Sequence, residues 1–167
     1  MCSCHSRDGR CVRDVVKAIV KAQNEVAARN HGCNVSCERS IRELLSPAQN
    51  GNGDTTIPFV LYCKDCKPFV ASGVKHVNGT IHCIESPVFK AKKFVDGSSH
   101  CVKLELLKAE RQAPCDSHKN KGNVCHFIDG ATGFKSTGIC ITVDLDCFCG
   151  ISCLGTTTPT RLTEADL

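Results

Sequence analysis

The spacing of apolar residues changes once along the chain. From Cys11 to about Arg29, Val12, Val15, Val16, Ile19, Ala22, Val26 and Ala27 recur mostly at three- and four-residue steps, while Arg13, Lys17, Lys21, Asn24 and Glu25 fall opposite. That period lays one apolar stripe along a helix, and Gln23 is the one polar residue on it. Asn30-His31-Gly32 is a suitable stop, because Asn and Gly accept the left-handed backbone of a helix end. A second helix is predicted over Cys37–Leu45, with Ser36 as its cap, Ile41, Leu44 and Leu45 on one face, and Pro47 beyond its end. Asn50-Gly51-Asn52-Gly53-Asp54 then interrupts the pattern as a hinge.

After the hinge the period becomes two, the signature of strands. Phe59-Val60-Leu61-Tyr62 reads as a strand, Lys64-Asp65 as a turn, and Pro68-Phe69-Val70-Ala71 as the start of the return. Asn78-Gly79 is a tight-turn signal. Strands follow over Thr80–Ile84, Val88–Val95 and Cys101–Leu107, then a polar loop over 115–123. In the last predicted strand, Ile139, Ile141, Val143 and Leu145 alternate with Cys140, Thr142, Asp144 and Asp146. Two helices followed by six or more short strands predict an α+β chain: an N-terminal helical segment, then an antiparallel β-sandwich or barrel-like body. The boundaries are a flexible, cysteine-bearing arm at 1–10, a helical segment at 11–49, a β-rich body at 55–154 and a loose tail at 155–167.

Composition limits the chemistry. A formal charge of +4 spread over the whole chain, no Trp and one Tyr give neither the basic face nor the stacking platforms that nucleic acid needs. No apolar run approaches the roughly 20 residues of a membrane span. The informative number is fifteen cysteines in 167 residues, a density usual in exported, disulfide-stapled chains. Yet the sequence opens Met1-Cys2-Ser3-Cys4-His5, without an apolar run of signal length. A chain of this size buries enough surface to fold without a dozen staples, and an odd count leaves at least one thiol unpaired internally.

Three readings compete for those thiols. A structural zinc site usually shows paired C-x-x-C hooks; here Cys63-Lys64-Asp65-Cys66 is the only one, with Cys2, Cys4, His5, Cys11, Cys125 and His126 as further ligands at no standard spacing. His31, His76, His100 and His118 read as exposed polar side chains. A thiol oxidoreductase needs its C-x-x-C at a helix start, whereas Cys63–Cys66 follows a strand. Asp144 and Asp146 share a strand face but read as surface carboxylates. Disulfides remain. If the strand continues through Cys147 and Cys149, these two thiols share a side and are separated by ~6.6–6.8 Å, at or beyond the limit of a bridge, so each needs a partner elsewhere. Cys2, Cys4 and Cys11 lie in or beside the arm, and Cys63 and Cys66 flank a turn, both placed to reach a neighbour. With Cys153 these are the intermolecular candidates. Cys33, Cys37, Cys83, Cys101, Cys115, Cys125 and Cys140 complete the disulfide set. No cofactor, metal ligand set or catalytic residue is assigned.

Residues 140–154, Cys-Ile-Thr-Val-Asp-Leu-Asp-Cys-Phe-Cys-Gly-Ile-Ser-Cys-Leu, closely resemble the C-terminal signature of the spore coat protein Y/Z family of endospore-forming bacilli, which includes exosporium protein Y. Cys11-Val12-Arg13-Asp14-Val15-Val16, Ile57-Pro58-Phe59-Val60-Leu61-Tyr62 and Glu85-Ser86-Pro87-Val88-Phe89-Lys90 agree in order and kind. The resemblance implies a non-enzymatic structural protein of the outer spore layers: coat, crust or exosporium. It implies self-assembly into ring-like, hexameric units and disulfide-locked two-dimensional sheets, with copies of itself and other spore coat or exosporium proteins as partners. Cys140, Cys147, Cys149 and Cys153 would belong to the family's cysteine pattern, whereas Cys63–Cys66 departs from relatives with a charged or Gly turn. Synthesis in the reducing mother-cell cytoplasm, followed by oxidation around its lysis, would account for thiols without a signal peptide. The alternatives are a zinc-binding Cys/His-rich module and a thiol oxidoreductase.

Overall fold

The computed structural model describes residues 12–26, 33–46, 48, 51, 53–111 and 123–167. The arm at 1–10, Cys11, the Asn30-His31-Gly32 stop and most of the polar loop lie outside them. The chain divides into two units, residues 1–34 and 35–167. The first contains α1 (Val12–Val26), which follows the predicted stripe; Val12, Val15, Val16, Ile19 and Val20 are all exposed.

The second unit begins with α2 (Cys37–Leu45). Ser36 holds an extended backbone, and its Oγ accepts the Arg39 N–H at 3.1 Å, satisfying one of the donors that a helix start leaves over. Arg39 and Glu43, four residues apart, form an ion pair at 2.6 Å along the helix.

Eight strands follow: β1 (Phe59–Cys63), β2 (Ala71–Val77), β3 (Thr80–Ser86), β4 (Phe89–Phe94), β5 (Cys101–Glu110), β6 (Gly133–Asp144), β7 (Phe148–Cys153) and β8 (Thr160–Arg161). A short helix, α3 (Val124–Ile128), precedes β6, and 3-10 turns cover Leu145–Cys147 and Glu164–Asp166. Six strands form one sheet in the order β7-β1-β4-β5-β6-β8, and β2-β3 form a separate hairpin. Asn78 and Gly79 close that hairpin with left-handed φ values of 50° and 79°, the two-residue turn that matches strand twist.

One sheet face carries Phe59, Leu61, Phe89, Val102, Leu104 and Leu106, joined by Ala71 and Cys153. The other carries Val60, Val88 and Leu107, packed by Val124, Ile128 and Phe134. The hairpin comes so close to β6 that a side chain at Gly73 would collide with Ile139.

The expected antiparallel sandwich or barrel led by a helical segment is not formed. Among the described residues strand outweighs helix, 43% against 25%, and the two helices do not form one leading segment, since α1 and α2 fall in different units. The body is a single mixed sheet, because β8 pairs parallel to β6 through Lys135↔Thr160 and Ser136↔Arg161. A sandwich needs a second sheet of comparable size, and only the hairpin lies outside the first. A barrel needs its edges joined, whereas β7 and β8 remain the two edges.

The sheet is nevertheless strongly curled. Asp144 and Phe148 are four residues apart, a reach of at most about 15 Å. In a flat sheet β6 and β7 would lie four strand spacings apart, about 19 Å. The β1–β4 junction is one residue pair wide (Phe59↔Phe89); farther along β1, the Leu61 carbonyl accepts from Phe69 instead of a β4 residue.

Residues 155–167, expected to be loose, contain β8 and the terminal 3-10 turn. Leu162 is buried, and Asp166 Oδ2 accepts from both the N–H and the hydroxyl of Thr163 at 2.7 Å.

Candidate functional site

Three of the four segments that carry the family resemblance meet in space. Residues 57–62 form β1 and its approach, residues 148–153 form β7 on one side of it, and Phe89 lies on the other. In the Ser86-Pro87-Val88 link, the Ser86 hydroxyl donates to the Leu107 carbonyl at 2.6 Å and accepts the Val88 N–H at 3.0 Å. This fully paired serine carries the chain from hairpin to sheet without an unsatisfied buried group.

Within this framework one pair of cysteines is joined. Cys37, at the start of α2, is bonded to Cys153, at the end of β7, with Cα atoms 5.0 Å apart and a separation of 116 positions in sequence. Cys153 was expected among the intermolecular thiols; here its partner is inside the chain, and it is buried with Phe59 and Leu61.

The remaining described thiols are free, and most are exposed. Cys33, Cys66, Cys83, Cys125, Cys140, Cys147 and Cys149 are exposed, while Cys63 and Cys101 are half-buried. Cys2, Cys4, Cys11 and Cys115 lie outside the described residues. Cys63, Cys66 and Cys149 gather where β1 meets the start of β7. Cys63 pairs with Phe148 in register, the Cys66 N–H donates to the Cys63 carbonyl at 2.8 Å, and the Cys149 thiol donates to that same carbonyl at 3.0 Å. Cys66 has a left-handed φ of 65°. Cys147, the last residue of the 3-10 turn, precedes β7 directly. Cys83 stands on the hairpin opposite Val74. Cys140 faces Glu105 across the β5–β6 pair, and Cys101 faces Asp144.

This arrangement bears on the rival chemistries. Among the described residues, no three His, Cys, Asp or Glu side chains converge as a metal site would. Cys63 ends β1 and a turn follows it, where a thioredoxin-type pair requires a helix start. Asp144 Oδ1 accepts the Asp146 N–H at 2.9 Å and so serves the 3-10 turn. A concavity of about 530 Å³ opens beside β5 and α3, lined by Lys108, Glu110, Arg111, His126, Lys135 and Asp166 among others. Its charged groups are held within the lining: Lys135 pairs with Asp166 at 2.8 Å and Glu110 at 3.8 Å, while Lys108 donates to the Asp166 backbone carbonyl and Arg111 to the His126 backbone carbonyl. The ion pairs hold the Asp166 carboxyl far below the usual range and raise the Lys135 amine.

The most buried charge is one that strand alternation did not single out. Glu105 lies two residues beyond the exposed Lys103 on β5, yet it is 3% exposed. It lies under a β6 bulge, where Gly138 has a φ of 75°. Oε1 accepts the Gly138 N–H at 3.0 Å and the Ser136 hydroxyl. Oε2 faces Lys90 at 3.7 Å and Lys92 at 3.3 Å. Burial opposes ionisation, but those two hydrogen bonds and the two ammonium groups outweigh it, so the carboxyl is held below its ordinary value. The sequence signal was the pair of lysines at 90 and 92, two apart on the neighbouring strand.

Comparison with known proteins agrees with the segments that meet at β1. The family described as Spore coat protein Z matches residues 1–156. Spore coat protein Z of Bacillus subtilis (strain 168) is 34% identical over 150 residues, covering 86% of this chain and 88% of the relative. No solved structure matches. The chain therefore belongs to the Spore coat protein Z family, structural proteins of the spore coat, an outer layer of the bacterial spore.

Proposed function

We propose that the protein is a self-assembling subunit of the spore coat whose exposed thiols become bonds between molecules once the subunits are in place. One observation supports this above the rest: among the described residues, seven free cysteines are exposed, against one internal bridge. Cysteine is ordinarily among the most buried residue types, so a surface bearing this many thiols has a use outside the fold. Cys37–Cys153 closes the body. Cys2, Cys4, Cys11, Cys63, Cys66, Cys147 and Cys149 are left for neighbours, and Cys149 lies on an edge strand. Each intermolecular bridge gives up two electrons and two protons, which dioxygen can accept after the mother cell opens. A contact of micromolar affinity separates on dilution, whereas one crossed by a disulfide does not. Ring-like hexamers in two-dimensional sheets, joined to other coat or exosporium proteins, are the assembly that the family resemblance implies.

Electron microscopy of purified protein, with and without reductant, tests this reading. Rings or sheets should appear, and their resistance to heat and detergent should fall sharply on reduction. Mass mapping of oxidised assemblies should find Cys149 or Cys66 joined across molecules and Cys37 joined to Cys153. Bridges confined within single chains would defeat the proposal.

A further inference from the structure

We propose that α1 is a homotypic assembly helix: copies of it pack side by side, parallel and in register, and gather chains before any intermolecular disulfide forms. The inference rests on the reading of the protein as a self-assembling coat subunit and names the surface that begins the assembly.

Val12, Val16, Ile19, Gln23 and Val26 step by four, three, four and three residues, the spacing of a helix that lies along another helix. Val15, Val20 and Ala22 widen that seam to an arc of about 160°, counting 100° per residue. Such an arc can contact a neighbour on each side. Val12, Val15, Val16, Ile19 and Val20 are exposed in the single chain. A helix of this length is marginal in water by itself, so covering that face stabilises it.

Two features identify the cover as further copies of α1. Gln23 interrupts the stripe, and its amide both donates and accepts. In a parallel, in-register bundle every Gln23 lies level with its counterparts, and the amides satisfy one another. Turned antiparallel about Ile19, Gln23 would lie level with Val15 and be buried against methyl groups without a partner. The charges give the same order. Arg13 and Lys17 lie to one side of the stripe, Asp14 and Glu25 to the other. Parallel neighbours set the basic side of one helix against the acidic side of the next, whereas antiparallel neighbours set like against like. Glu25 meets Lys21 at 4.0 Å in an exposed pair, a contact weak enough to exchange. Parallel order also brings Cys2, Cys4 and Cys11, which precede α1 in the sequence, to the same end of every bundle.

Sedimentation of the full-length protein kept under reductant measures association without intermolecular disulfides. Ile19→Lys should weaken it by at least ~10-fold, since a lysine enters the apolar seam, with the cooperative unfolding of the body unchanged. Two variants that alter only exposed charges, Arg13→Glu/Lys17→Glu and Asp14→Lys/Glu25→Lys, should each weaken it by ~3–10-fold, and their equimolar mixture should recover. If Ile19→Lys associates like the wild type, something other than α1 gathers the chains, and the inference falls while the coat-subunit reading stands. If Ile19→Lys weakens association but neither charge variant does, the parallel order is overturned. A wild-type protein that stays monomeric under reductant and forms no sheets on oxidation would remove the assembly reading itself.

Discussion

The Glu105 carboxylate accepts the Gly138 N–H at 3.0 Å across the β5–β6 bulge, and that contact fixes how β6 passes its neighbour. Gly138 supplies the left-handed backbone, Thr137 pairs its hydroxyl with the Leu106 carbonyl at 2.6 Å, and the carboxylate collects the N–H that the bulge turns away from the ladder. Glu105→Ala removes the acceptor while leaving Lys90, Ser136 and the Gly138 N–H in place. It should cost about 3 kcal/mol. Glu105→Gln retains one acceptor and should cost less. Urea unfolding under non-reducing conditions measures both.

The same carboxylate sets a pH limit. Its folded pKa lies below the ordinary 4.5, so in acid the unfolded chain binds more protons than the folded one. Its contribution is therefore present above about pH 4.5 and is lost as pH falls through the folded value. Asp166 acts in the same direction. Lys135, whose pKa is raised, contributes fully below its ordinary 10.5 and loses that contribution as pH rises through the folded value. Unfolding midpoints collected from pH 7 to pH 3 should decline for the wild type and decline less for Glu105→Gln. Equal slopes would count against the assignment.

Cys37→Ser opens the 116-residue separation closed by the internal bridge. Loop closure of that size is worth about 4–5 kcal/mol by the chain-entropy account. Wild-type protein in strong reductant should unfold at nearly the same denaturant concentration as the variant.

Gly73→Ala places a methyl group against the β-branched Ile139 side chain, which cannot swing aside. Overpacking of this kind costs about 1–3 kcal/mol. Amide exchange should quicken along β2 and β3, with β5 less affected.

Cys66→Gly should raise stability by about 0.5–1 kcal/mol, because Cys66 holds a left-handed backbone that glycine adopts without strain. Thermal unfolding of the reduced protein would show a rise of roughly 1–4 °C. A gain would mean that this thiol is kept at a cost to the fold.

Local chemistry was legible in the sequence. The α2 bounds and the Ser36 cap, the Lys64-Asp65 turn and Asn78-Gly79 all depend on neighbours a few residues away. The layout of the sheet depends on contacts far apart in sequence. The alternation through Leu145 suggested a strand continuing toward Cys147, yet Asp144 captures the Asp146 N–H and breaks it; an aspartate before such a run was the available signal. Nothing local marked Thr160–Arg161 as a strand, because two residues show no period. Nor could spacing join Cys37 to Cys153, since a bridge between distant residues is decided by the completed fold. Most of the other described thiols are exposed, which agrees with their number and their spread along the chain.

The Cys37–Cys153 bond also determines where tension would run in a continuous layer. A pull entering through the N-terminal segment reaches Cys37, crosses the two sulfur atoms to Cys153, and is four residues along β7 from Cys149. Strands β1 to β6 lie outside that covalent route. If neighbours hold the molecule at its arm and at Cys149, strain on the spore surface passes along one helix and one edge strand, and the rest of the sheet carries none of the load.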